Sequence, residues 1–189
     1  MAGLIRMRRK AAHPRNPWVK DNLVRELYLL GTYGLRNKKE LWTILAQAQK
    51  DKKRARTLLI STDHKVVMTE GRALCDRLYK NGMISSVDFN DEEDIRRCLR
   101  EVLNFDLTKY LDRRLQQMVV NVGVAKNPHQ ARKMIVHRHV TIKGRVVDKP
   151  SMIVRSENDG HIELNPFSSM AGFKKGRNAK KANDEPTEE

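Results

Sequence analysis

Apolar residues recur at helical spacing through the first hundred positions, and each run is bounded by residues that start or stop helices. Leu23, Val24, Leu27 and Leu30 form one stripe, with Asp21 or Asn22 as the cap and Gly31 as a left-handed stop. Asn37 followed by Glu40 resembles a capping box. After it, Leu41, Ile44, Leu45, Ala48, Ala55, Leu58 and Leu59 predict a long helix to about Ile60, with Lys50, Lys52, Lys53, Arg54 and Arg56 mostly on its other side. Ser61 to Val67 reads as a connection and residues 70–81 as a helix ending at Gly82. Asp91 to Asp94 start another helix, where negative charge suits the helix dipole.

From Asp106 the pattern changes. Leu107, Tyr110, Leu111, Leu115, Met118, Val119 and Val122 predict a helix closed by Gly123. Asn127-Pro128 is a cap followed by proline at the first helical position, and the helix it opens runs to about Arg138 with Ala131, Met134 and Ile135 inward. Strands are expected at Val140–Ile142, at Val146–Val147 after a Lys143-Gly144 turn, and at Met152–Val154, with His161–Leu164 as a fourth. The expected fold class is α+β: a helical domain, then a smaller domain with two helices packed on an antiparallel sheet. The expected divisions are a basic extension (1–20), a helical domain (21–106), the smaller domain (107–165) and a basic then acidic tail (166–189). Both ends read as disordered.

Charge decides what such a chain faces. Its 189 residues carry a formal net charge of +15 and a pI near 10.1, so an anionic partner is expected, and nucleic acid before a membrane. No apolar run approaches the roughly 20 residues of a span, and the opening MAGLIRMRRK lacks the apolar stretch of a signal peptide. An intracellular protein without a membrane partner is expected. Residues 107–155 hold eleven Lys and Arg against Asp112 and Asp148, far too few acids to neutralise that face internally. Cys75 and Cys98 sit among apolar residues and read as buried thiols.

Candidate chemistry narrows the picture further. His129, His137 and His139 each offer an imidazole, but no thiolate or carboxylate stands at ligand spacing, and Arg138 between two of them opposes a dication; no metal is expected. Asp88 to Glu92 imitates the start of a calcium loop but has Glu93 where glycine is needed and Leu99 where glutamate is needed. Nothing resembles a phosphate-cradling loop or a nucleophile elbow, so neither enzyme activity nor a cofactor is expected. What remains is a basic surface. His129, Arg132 and Lys133 lie on the outer side of the helix from Pro128, Arg138, His139 and Lys143 mark the join and turn after it, and Arg113 and Arg114 stand on the helix before it. Guanidinium groups suit bidentate phosphate contact. Few aromatics accompany them, which fits A-form RNA read through phosphates and shape better than a base-stacking platform.

The stretch YLDRRLQQMVVNVGVAKNPHQARKMIVHRHVTIKGRVVDKPSMIV, residues 110–154, resembles the RNA-binding domain named after small-subunit ribosomal protein S-four. The likeness rests on a double arginine, a GxAK followed by a capping polar residue, an xARxxI, a strand opening with HV, a glycine turn and PSxxV. LYLLGTYGLRNKKELW, residues 27–42, is similar to the N-terminal region of the eukaryotic and archaeal members, eukaryotic S-nine among them. The resemblance spans about residues 15–165.

It implies a structural constituent of the small ribosomal subunit that binds small-subunit rRNA early in assembly. Neighbouring small-subunit proteins and mRNA near the entrance channel are its other implied partners. Localisation would be the cytoplasmic ribosome, after nuclear and nucleolar passage. Carried residue by residue, the family's motif makes Arg113, Arg114, His129, Gln130, Arg132, Lys133, Arg138 and Lys143 the RNA face, and Lys126, Asn127, His137 and His139 join them as candidates. The alternative is a nucleolar pre-rRNA processing factor built on the same domain. An RNA-modifying enzyme would need a catalytic acid that the first hundred residues do not offer.

Overall fold

The computed structural model describes residues 11, 14–84 and 91–171. Most of both tails expected to be disordered, and Asp88 to Asn90 of the abortive calcium loop, lie outside the described residues. The chain divides into two compact units between Arg113 and Arg114, and its fold is α+β.

Unit 1 contains α1 (Lys20–Thr32), α2 (Lys38–Ile60) and α3 (His64–Val66), which passes through a π turn at Val67–Gly71 into α4 (Arg72–Lys80). Then come α5 (Glu92–Leu103) and α6 (Leu107–Asp112). The Asn37 side chain accepts from Glu40 N–H at 3.1 Å, as the capping pattern predicts, and α2 ends at Ile60. Leu41, Ala48, Ala55 and Leu58 of its stripe are buried. Two expectations for α1 fail. Its start has Val19 at the cap with no side-chain bond, and the left-handed residue is Gly34 (φ 58°), not Gly31. The stripe is also split: Leu29 and Leu30 pack beside Leu35, Leu41 and Leu111, whereas Val24 and Leu27 face solvent. The segment expected as a connection before residue 70 is already helical from His64.

The centre of unit 1 is an apolar cluster from α2, α4, α5 and α6 that includes Leu58, Leu74, Leu78, Ile95, Leu99, Val102 and Phe105. Gly71 permits close packing there: a methyl group on it would stand 2.8 Å from Ile95 Cγ2. Cys75 and Cys98 are both buried and free, as expected. The neighbouring Cys98 thiol, and then burial, raise the pKa of Cys75. Asp51 is a buried carboxylate, and two groups satisfy it: Arg77 Nη2 at 2.5 Å and the Tyr110 hydroxyl, which donates at 3.2 Å. An unpaired buried charge there would be strongly unfavourable.

The helix expected from Leu107 to Val122 is broken. α6 stops at Asp112 and α7 (Leu115–Asn121) starts afresh, with Arg114 extended at its cap (φ −70°, ψ 141°). Tyr110 and Leu111 belong to the core of unit 1, while Leu115, Met118 and Val119 belong to that of unit 2. In unit 2, α8 (Pro128–Val136) follows α7, and among the described residues the sheet has three strands: β1 (Val140–Ile142), β2 (Arg145–Val146) and β3 (Ile162–Leu164), in the order β2-β1-β3 with both pairs antiparallel. The strand expected at Met152–Val154 does not join it. Its backbone instead serves the start of α7: Leu115 N–H donates to Met152 C=O at 2.7 Å, Gln116 N–H to Pro150 C=O at 3.4 Å, and Ile153 makes a lone bridge with Arg114. The first amides of a helix lack partners within it, and this loop supplies them.

Candidate nucleic-acid interface

α8 carries the candidate surface of unit 2. Ala131, Met134 and Ile135 are buried in its core, which turns His129, Lys133, Val136 and His137 outward and leaves Gln130 and Arg132 half-buried. Asn127 has the extended backbone of a cap, without a side-chain cap bond. Gln130 reaches back instead and accepts from Lys126 N–H at 3.2 Å. Gln116, only 1 % exposed, donates through Nε2 to Pro128 C=O at 2.9 Å and accepts from Arg132 Nη1 at 3.5 Å. Sequence reasoning passed over Gln116, and a glutamine inside the apolar run LQQMVV was its one signal.

The join between α8 and β1 is a left-handed cap. Arg138 N–H donates to Ile135 C=O at 3.0 Å and His139 N–H to Met134 C=O at 2.9 Å, with Arg138 at φ 63°. Glycine is the usual residue in this motif. At the β1–β2 hairpin, Lys143 (φ 50°) and Gly144 (φ 75°) form a two-residue turn, where asparagine or aspartate normally precedes glycine. An exposed cation therefore fills each of two positions where a different residue would be more stable. His139 is half-buried: its Nδ1 shares a hydrogen bond with Ser168 Oγ at 2.5 Å, and its ring lies 6.1 Å from that of His137. Among the described residues no group of three His, Cys, Asp or Glu side chains could hold a metal, and no helix is long and apolar enough to cross a membrane.

The two arginines expected to touch phosphate are placed otherwise. Arg114 is 3 % exposed, at the buried cap of α7. Arg113 is half-buried in unit 1, with its guanidinium against Gly82: a methyl group there would be 2.9 Å from Arg113 Cζ. Their expected exposure rested on one continuous helix, and the break at Asp112 removes that geometry. Lys126, Asn127, His129, Lys133, His137, Arg138 and Lys143 do come to the surface of unit 2, joined there by Arg145.

A family profile described as the S4 domain matches residues 113–160. Proteins named small ribosomal subunit protein uS4 align over most of the chain. That of Hyperthermus butylicus is 37% identical over 87% of this chain and 88% of its own, and that of Ignicoccus hospitalis 38% over 90% and 95%. That of Pyrobaculum aerophilum is 40% identical over 87% of this chain and 99% of its own. The chain belongs to the uS4 family. The matched S4 domain begins beside the break between α6 and α7 and contains α8, the left-handed cap and the hairpin. This uS4 chain is thus an S4 domain preceded by a helical unit, and uS4 proteins are structural rather than catalytic.

Proposed function

We propose that this chain is a structural constituent of the small ribosomal subunit that binds small-subunit rRNA through the outer face of α8 and the β1–β2 hairpin. The observation that carries this reading is the exposed set Lys126, Lys133, Arg138 and Lys143 in the S4-domain unit, two of them held in left-handed backbone. Cations whose side chains pair with phosphates displace counterions, so RNA binds more weakly as salt rises. His129, His137 and His139 complete the face as hydrogen-bonding groups beside the charges, and Arg132 adds a half-buried guanidinium. Asn127 is exposed at the start of α8, which Gln130 ties back to Lys126.

Within the subunit the chain contacts neighbouring proteins and supports assembly, and it lies near the mRNA entrance channel. It works on cytoplasmic ribosomes after passing through the nucleolus. Two measurements test this. The chain should co-sediment with mature translating small subunits, whereas recovery only with precursor particles would favour the processing-factor reading. The purified chain should also bind a small-subunit rRNA junction with an affinity that falls as salt rises; salt-independent binding, or none, would overturn the RNA assignment.

A further inference from the structure

Beside the basic face lies a hollow of ≈ 380 Å³ lined by Arg138, Val146, Asp148 and Asn165. That is at the lower end of the roughly 300–1,000 Å³ of ligand-binding clefts. We propose that it is a subsite for one unpaired guanine of the bound RNA, with Asp148 reading the base. The proposal rests on the RNA-binding role above and names a chemical feature of the RNA that this role leaves open.

Three features of the hollow converge on a base. Val146 is on β2 and 48% exposed, giving an apolar surface against which a ring can lie. Asn165 is rigid: its N–H donates to His139 C=O at 2.8 Å, its Nδ2 to Arg138 C=O at 3.3 Å, and its Oδ1 accepts from Phe167 N–H at 3.0 Å. Asp148 meets Arg138 only loosely, Nη2 to Oδ2 at 3.9 Å, with both side chains at least half exposed. So exposed a pair opens easily, leaving a carboxylate acceptor and a guanidinium donor that both line the hollow.

The choice of base follows from the carboxylate, which offers two acceptors and no donor. Only guanine presents two adjacent donors, N1–H and N2–H₂, on its pairing edge. Adenine and cytosine set a ring acceptor beside their amino group, and uracil sets carbonyls beside its single N–H, so each turns a lone pair toward Asp148. Guanine N1–H is occupied in a Watson–Crick pair, so the base must be unpaired, the form in which RNA is usually read by sequence. Arg138, fixed in left-handed backbone at φ 63°, stays beside the hollow to meet the O6 or phosphate of the same nucleotide.

The experiment uses the full chain and five RNA hairpins, one fully paired and four with a single bulged G, A, C or U, with affinities read by fluorescence anisotropy. The bulged guanine should bind about tenfold tighter than each of the other bulges, the discrimination typical of one bidentate contact. Asp148→Asn replaces one acceptor with a donor, so the guanine preference should vanish and adenine or cytosine should gain. Equal affinity for all four bulges, or a guanine preference that survives Asp148→Asn, overturns the subsite. Absence of salt-dependent binding to any hairpin is a different result, and overturns the RNA-binding role itself.

Discussion

Arg138 sets two demands against each other at one residue. Left-handed backbone at φ 63° disfavours a side chain with a Cβ, yet a cation is what the surface presents there. Arg138→Gly should therefore raise unfolding stability by about 0.5–1 kcal/mol, measured by urea denaturation, while making the salt dependence of RNA binding shallower by about 1. Arg114 should behave the other way. Buried at 3% exposure, it contributes packing and charge inside unit 2, so Arg114→Ala should destabilise by about 2–3 kcal/mol and leave the salt slope unchanged. Two tyrosines add a pH signature. Burial foremost, then the negative charge of Asp51 for Tyr110 and a hydrogen bond to Asp112 for Tyr33, raise both phenols above their usual pKa. A raised acid keeps its proton in the folded state after the unfolded chain has lost it, so this contribution is complete below about pH 10 and is lost as pH rises above it. Tyr33→Phe with Tyr110→Phe should flatten the alkaline limb of a stability–pH curve.

Elements were legible where caps and periodicity agreed. Asn37 with Glu40, Asp91 ahead of three acids, and Asn127 with Pro128 each mark an observed helix start. The failures have a common physical source. Periodicity carries unbroken across Asp112–Arg114, because leucines at 111 and 115 keep helical spacing even though they serve two different cores. Met152–Val154 has strand composition, but the Met152 carbonyl, with that of Pro150 just before it, is used to cap α7, a tertiary demand that no local pattern signals. For the site, the outward side of α8 could be read from Ala131, Met134 and Ile135. The left-handed backbone of Arg138 could not, since the glycine that normally announces it is missing. The π turn before α4 was also hidden, and it sets a testable packing limit: Gly71→Ala, forcing a methyl toward Ile95, should destabilise by about 1–3 kcal/mol in urea denaturation.

For the molecule as a whole, the excess of fifteen positive charges states that an anion is needed but not where it binds. The fold sorts those charges. Arg77 is committed to Asp51, Arg96 to Glu92 and to the carbonyls of Leu59 and Ser61, and Arg54 to Glu70. The RNA response should therefore follow a few residues rather than total charge. Replacing Lys126, Lys133 and Lys143 together by glutamine should make the salt slope shallower by about 2–3, if each meets one phosphate. The same number of glutamines at Arg54, Arg77 and Arg96 should act chiefly on the stability of unit 1. Filter binding over a salt series, paired with urea denaturation, separates the two sets.

The hydroxyl of Tyr110 on Asp51 and that of Tyr33 on Asp112 at 2.7 Å also fix an order of events. Both link early residues of unit 1 to α6, its last helix. As the chain leaves the ribosome that makes it, α1 and α2 emerge first, yet Asp51 has no phenol to accept from until Tyr110 has followed. The helical unit is completed from its far end, so a nascent chain halted before residue 110 would hold most of that unit's sequence and still lack a finished core.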